Sequence, residues 1–195
     1  MFDNVFEAFY AVGFIGGSVI RAIYTRHHRQ SRAADDRKTA LDMALITFAA
    51  VGLLIAPLAY LLTPWLDFAN YRLPTWAGWL GVAVFAAALW LLWRSHIDLG
   101  RNWSPTLQIR EEHSLVTRGV FRHIRHPMYA AHCLWGIAQV LLLQNWIAGP
   151  ALLVCCLPGY LHRVPEEEQM MLEHFGEEYR LYMDRTGRMI PRLRR

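Results

Sequence analysis

Met43 to Leu62 is a run of twenty residues without one charged side chain. Twenty helical residues rise about 30 Å, the depth of a bilayer core, so the run predicts a membrane-spanning helix. It is one of several. Val5 to Tyr24 is apolar apart from Glu7 and Arg21 near its ends, and Trp76 to Trp93 is uncharged. Trp76, Trp79, Trp90 and Trp93 stand near the two ends of that third run, where indole rings favour the headgroup level. Pro57 predicts a kink in the second span. Gly13, Gly16 and Gly17 predict close approach of a neighbour to the first.

Two shorter apolar runs follow, Met128 to Leu143 and Ile147 to Leu161, separated by Gln144, Asn145 and Trp146. Each gives about 23 Å of helix. They are read as a tight helical hairpin whose flanking residues complete each span. The expectation is an all-α integral membrane protein with about five transmembrane helices. Composition agrees: 54% of residues are apolar, 18% are charged, and there are eight Trp and eight Tyr. The first apolar block starts almost at once behind acidic residues, so it is read as a span rather than a cleavable leader.

A net charge of +4 and a pI near 9.2 raise the question of nucleic acid. The positions of the charges answer it. Arg supplies nearly all of the basic residues, and they fall in the segments between apolar blocks. With the segment after the first span placed inside, every Lys and Arg except Arg72 lies on one side. Five spans with the amino terminus outside and the carboxyl terminus in the cytoplasm follow from that asymmetry. The loop from Arg26 to Lys38 is read as a solvated cytoplasmic loop, within reach of anionic membrane lipids. No nucleic-acid partner is expected. Cys133, Cys155 and Cys156 lie inside apolar segments without metal or disulfide spacing, so they are read as packing residues and no metal is expected.

In the tail, Pro165 followed by Glu166, Glu167 and Glu168 predicts a helix start, since Pro suits the first turn and carboxylates suit the positive helix end. Glu166 and Glu168 are read as helix-start charges. Met171, Phe175, Tyr179 and Tyr182 recur at spacings of four and three, which predicts a C-terminal amphipathic helix ended by Gly187 and Pro191. It would pack on the polar stretch or lie on the membrane surface.

The chemistry concentrates in HSLVTRGVFRHIRHPMY, from His113 to Tyr129. Pro127 restricts the residue before it and aims His126 back along the loop. Arg163 and Glu167 leave the last span four residues apart, so on a helix they share a face. Both groups fall at the same membrane level, where an idle charge beside hydrocarbon is costly. These residues predict a polar pocket at the cytoplasmic face.

The run HSLVTRGVF followed by RHPMY, then Arg163 with Glu167 and Glu168, then HFGEEYRLYM and a terminal IPRL, resembles the isoprenylcysteine carboxyl methyltransferase family, in a short prokaryotic form. The resemblance covers roughly the last ninety residues. It implies S-adenosylmethionine as methyl donor, with S-adenosylhomocysteine as product. Donor-binding positions would fall on Gln108, on His113, Ser114, Leu115 and Val116, on Phe121, and on His126, Pro127, Met128 and Tyr129. Arg163 and Glu167 match the family's active-site Arg and Glu. Phe121 stands where Tyr is common, so a hydroxyl contact would be lost while stacking survives. Met128 stands where a small residue is common, at the pocket edge. Residues 1–99 would then be three N-terminal spans, and 100–195 the cofactor-binding and catalytic region.

The residues are consistent with what the resemblance implies. No G-x-G-x-x-G follows a strand, so a soluble dinucleotide-type pocket is not expected. His126 would bond the methionine part or the ribose, and Phe121 or Tyr129 would cover adenine. A carboxylate acceptor needs no general base, only positioning and partial desolvation. Arg163 suits a carboxylate through two donors, with Glu167 orienting it. For an amine acceptor, Glu167 would take the proton. The expected acceptor is lipophilic, a prenylcysteine or similar group. Three other readings stand beside this one: a phospholipid amine N-methyltransferase, a sterol-reductase-like nicotinamide enzyme, and a non-catalytic membrane scaffold.

Overall fold

Each long apolar run forms a helix. The structure is a computed structural model that describes residues 5–28, 35–36, 39–100, 108–109 and 114–192. Helix α1 (Val5–His28) leads to β1 (Asp35–Asp36), which pairs antiparallel with β2 (Gln108–Ile109). Helix α2 (Ala40–Ala50) passes into a π-helical segment (Val51–Ile55) and α3 (Ala56–Leu62), which together make one span. A 3-10 turn (Pro64–Ala69) precedes α4 (Thr75–Leu99). A second 3-10 turn (Gly119–Arg122) leads to α5 (Pro127–Leu143), α6 (Ala151–Phe175) and α7 (Glu177–Arg185).

Three of these elements are long and apolar enough to cross a membrane: Val5–Thr25, Ala40–Leu62 and Thr75–Leu99. Helix α5 is a shorter apolar helix, and α6 is apolar only in its first half. The expected hairpin is present as α5 and α6. Its second arm, however, does not stop near Leu161. It continues unbroken to Phe175, so Pro165 lies inside a helix and does not start one. An interior proline forfeits one helical hydrogen bond. Here the flanking turns are held by buried Val164, Glu168 and Met170, and packing overrides the local signal.

In hydrocarbon, apolar burial alone drives little, so helix association rests on close packing and buried hydrogen bonds. Both are visible. α4 makes its most extensive contact with α5, and α1 packs on the two of them. Gly13 sits against the ring of Phe85 and Gly17 against that of Trp135, where a Cβ would overlap the ring. Gly16 faces open space. The ring of Tyr10 stacks on Phe85 at 5.4 Å, and its hydroxyl donates to Gln139 Oε1 at 2.8 Å.

The expected kink at Pro57 takes a specific form. Pro57 has no N–H, and the turn before it widens to a π-helix in which Ala56 N–H reaches Val51 O. The Gly52 carbonyl, deprived of an ordinary helical donor, accepts from Gln139 Nε2 at 3.3 Å. The same amide donates to Ala148 O at 2.6 Å. Gln139 thus joins α1, the π segment and the α5–α6 turn.

At the end of the bundle away from most charges, the loop before α4 and the α5–α6 turn are stitched together. Tyr71 N donates to Gln144 O at 2.8 Å, and Trp146 N donates to Ala69 O at 2.9 Å. Asn145 Nδ2 donates to Leu66 O at 2.7 Å. Gln144 takes the left-handed conformation that turns the chain, with φ 47°. Buried Glu7 accepts from the Tyr60 hydroxyl at 3.1 Å near this end.

Candidate active site

At the opposite, charged end, the loop after α4 is fixed before it reaches α5. Arg94 holds the Asp98 carboxylate at 2.7 Å, and Asp98 Oδ2 accepts from Val120 N at 2.9 Å. Gly119 makes that approach possible, since its φ is 59° and a Cβ would collide with Asp98. Phe121 is buried, and its carbonyl accepts from the Tyr182 hydroxyl on α7 at 2.6 Å. The chain after α7 then runs beside the loop in a parallel bridge between Ile124 and Gly187. Arg125 N donates to Gly187 O and His126 N to Arg188 O, each at 2.8 Å. Pro127 immediately begins α5.

This framework brings three basic side chains onto one carboxylate. Glu168 is 4% exposed. Arg125 Nε lies 3.0 Å from Glu168 Oε1, and Arg188 Nη2 lies 2.7 Å from Oε2. His126 Nε2 is 3.3 Å from Oε1. The reading of Glu168 as a helix-start charge is therefore corrected: its charge is met by cations from distant segments and not by a helix end. Arg125 also donates to the Met183 carbonyl at 3.0 Å and to the Thr186 carbonyl, tying the tail to the same point. His126 accordingly points at α6 and not back along its loop.

Beside this hub, Glu167 faces a different set of groups. The Tyr129 hydroxyl donates to Glu167 Oε1 at 2.7 Å, and Arg163 Nη2 is 3.5 Å from the same oxygen. His126 Nδ1 is 3.5 Å from Glu167 Oε2. The Glu167 side chain is 25% exposed against 5% for Glu168, so Glu167 is the carboxylate that remains open to a ligand. Arg163 is also coupled electrostatically to Asp42 of α2, whose Oδ1 lies 3.9 Å from His162 Nε2. Asp42 is itself fixed as the partner of Thr39 in the capping box that starts α2.

The protonation states follow. Burial opposes charge on His126, but hydrogen bonds to Glu167 and Glu168 and their negative charges outweigh it, so His126 titrates above its ordinary value. Both ring nitrogens face carboxylates, which suits an imidazolium. Burial likewise opposes charge on Glu168. Hydrogen bonds from His126, Arg188 and Arg125 override it and hold the carboxyl at about 2.

Of the residues predicted from sequence, the structure gathers His126, Tyr129 and Arg163 around Glu167. Pro127 is the buried first residue of α5, and Met128 beside it is half-buried. Phe121 is near but buried, with its backbone bound to α7. Ser114, Leu115 and Val116 run outside regular structure, exposed to half-buried. Gln108 is described by its backbone alone, paired with Asp36. His113 lies outside the described residues. Sequence reasoning missed Glu168, Arg125, Arg188, Tyr182 and Asp42. The stripe of Met171, Phe175, Tyr179 and Tyr182 is divided between α6 and α7 by Gly176, with φ 55°, and α7 packs on the loop.

Comparison with known proteins bears on this arrangement. The family model described as isoprenylcysteine carboxyl methyltransferase (ICMT) family matches residues 79–173. The chain is 29% identical over 157 residues to protein-S-isoprenylcysteine O-methyltransferase B of Arabidopsis thaliana, covering 79% of each chain. It is 30% identical over 139 residues to protein-S-isoprenylcysteine O-methyltransferase of Homo sapiens, covering 67% of this chain and 49% of the human protein. Among solved structures it is similar to the eukaryotic intramembrane Ras methyltransferase ICMT, with a TM-score of 0.56 and 22% identity. That match covers 94% of this chain and 62% of the other, and it shows a shared fold.

Proposed function

The chain belongs to the isoprenylcysteine carboxyl methyltransferase family, and on that premise we propose that it is a membrane-embedded, S-adenosylmethionine-dependent methyltransferase acting on the carboxylate of a prenylated cysteine or similar lipid-borne acceptor. The observation that carries the reading is the position of Glu167. It is joined to Tyr129 and Arg163 and left partly exposed where an apolar bundle meets a charged cap. Such a site serves two reactants of opposite solubility. A lipid tail reaches it from between the helices, and a water-soluble donor reaches it from the charged end. We place that end in the cytoplasm of a prokaryotic cell, with the amino terminus outside, because the basic residues gather there.

The groups present fit the donor. Its ammonium calls for a carboxylate, which partly exposed Glu167 offers. Its carboxylate calls for a cation, which half-exposed Arg188 offers. The exposed to half-buried run Ser114–Val116, together with Met128 and Tyr129, would border it, and His113 and Gln108 belong to the same stretch of sequence. When bound, S-adenosylmethionine supplies a methyl carbon on a sulfonium, whose bonding pair returns to sulfur as an acceptor oxygen bonds the carbon. No proton changes hands, so the chain's task is placement and exclusion of water. Tyr129 and Arg163 fix the Glu167 carboxylate. Arg163 carries positive charge to the acceptor, and Glu168 holds His126 and the loop in register.

The test is transfer of a labelled methyl group by the purified chain in lipid nanodiscs. Prenylated cysteine, the same cysteine without its tail, and an amine-headgroup phospholipid would be compared. Transfer to the prenylated acid at a rate at least tenfold above the other two is expected. Preference for the phospholipid amine would overturn the carboxyl reading, and equal rates with and without the tail would overturn the lipid-borne acceptor.

A further inference from the structure

A second basic group is held between helices, and the site described above does not use it. Arg21, on the apolar helix α1, places Nη1 3.0 Å from His132 Nε2 on α5. His132 Nδ1 lies 2.7 Å from the Met128 carbonyl. A carbonyl only accepts, so Nδ1 carries the hydrogen and the lone pair on Nε2 faces Arg21. That ring is then neutral, and it orients the guanidinium without cancelling its charge. The other groups facing Arg21 are His96 of α4 and Cys156 of α6. His96 is likewise bound through Nδ1 to the Leu92 carbonyl at 2.8 Å, with the Tyr24 ring 4.7 Å away. Among the described residues no carboxylate pairs with Arg21.

Arg163 provides the contrast, since it is flanked by Glu167 and Asp42. Arg163 has its charge offset, whereas half-buried Arg21 has no carboxylate partner among the described residues and stands among apolar helices. A guanidinium in that setting calls for an anion. The two are connected along one face of α6: Cys156, Tyr160, Arg163 and Glu167 follow at spacings of four, three and four. Tyr160 packs edge-on to Tyr129 at 5.8 Å, and His132 is one turn, about 4.5 Å, below Tyr129 on α5.

We propose that Arg21, oriented by His132, binds the carboxylate of the lipid-borne acceptor. The proposal rests on the methyltransferase reading above and adds to Arg163 a second cation, from the first span, for the acceptor's charge. Arg21 holds one carboxylate oxygen and leaves the other to attack. Methylation turns the acid into a neutral ester, which removes the charge Arg21 recognises and favours departure of the product. A phospholipid phosphate offers the same negative charge and is distinguished by the test.

The experiment uses the full chain in nanodiscs, as wild type, Arg21→Gln and Arg21→Lys. Three quantities are measured: S-adenosylhomocysteine affinity, KM and kcat for the prenylated cysteine, and competition by that acid against its methyl ester. The expected result for Arg21→Gln is a KM raised roughly tenfold or more and loss of the acid-over-ester preference, with S-adenosylhomocysteine affinity within about twofold of wild type. Arg21→Lys should fall between, since a lysine keeps the charge but not the planar pair of donors. An active Arg21→Gln with unchanged KM and unchanged preference overturns the proposal while leaving the methyltransferase reading intact. So does a KM that shifts only when anionic phospholipid is removed from the nanodisc. If Arg21→Gln binds no S-adenosylhomocysteine, Arg21→Lys decides, and an unchanged KM in that variant is fatal. A wild type that methylates no prenylated acid defeats the underlying reading first.

Discussion

Arg188 Nη2 lies 2.7 Å from Glu168 Oε2, although Arg188 follows α7 on the tail and Glu168 sits within α6. The same carboxylate meets Arg125 and His126 from the loop before α5. One buried charge therefore fixes the meeting of helix, loop and tail. Glu168→Gln leaves Arg125 and His126 facing a neutral amide. Removing one partner of a buried ion pair costs about 3–5 kcal/mol. We expect thermal unfolding to move down by several degrees and S-adenosylhomocysteine affinity to fall tenfold or more, measured by calorimetry on the purified variant.

Glu167 should behave differently, because it is partly exposed and is held by a hydroxyl and a cation. Glu167→Gln should lower kcat on the prenylated acid at least a hundredfold and shift the unfolding midpoint by less than about 1 kcal/mol of stability. A variant with lost stability and retained turnover would reverse the roles assigned to the two neighbouring carboxylates.

The two titrating groups act in separate pH ranges. Glu168 is lowered from 4.5 to about 2, so its contribution is present above 4.5 and is lost as pH falls from there towards 2. His126 is raised above 6.5, so its contribution is complete below 6.5 and is lost as pH rises through its folded value. As pH rises above 6.5 the wild type should therefore lose stability. His126→Gln should show a flatter profile over that interval, read by thermal unfolding at stepped pH.

Gly119→Ala tests the loop. A Cβ at that position meets Asp98 and also strains a positive φ. Strain of this kind costs about 1–3 kcal/mol. The Val120–Asp98 hydrogen bond should be lost, with faster amide exchange at Val120 and weaker S-adenosylhomocysteine binding. The interior of the bundle should keep its protection.

Gln139→Leu tests the bundle itself. It removes the donor to Gly52 and Ala148 and the acceptor for Tyr10. Hydrogen bonds between helices in a membrane are worth about 0.6–2 kcal/mol. Unfolding in detergent should report a loss of about that size for each bond left unmade, with donor affinity unaffected.

The spans were legible because a run such as Met43–Leu62 is defined by what it lacks, and no tertiary contact can restore charge to it. Arg163 and Glu167 were legible as neighbours because a helical spacing acts within a few residues, whereas the direction of His126 was not, since the carboxylates that hold its ring lie on α6. Glu168 was not. Three consecutive glutamates differ only in helix phase, and the phase that buries Glu168 depends on Arg125 and Arg188, which are remote in sequence. Pro165 misled for the same reason, since a local start signal lies on a helix held by packing around Val164 and Met170. Gly119 carried no readable signal, because the carboxylate it must avoid comes from α4.

Helix α6 runs without a break from the apolar interior to the charged cap, and one rod therefore bears both Leu152 in the core and Glu167 at the rim. The fifteen helical steps from one to the other measure about 22 Å along the axis. The height of Glu167 is thus set mechanically by how deeply the lower half of that rod sits in lipid. Hydrophobic thickness of the host bilayer becomes a control on the reaction, and lipids with longer or shorter tails should tune turnover by raising or sinking the carboxylate against the surface.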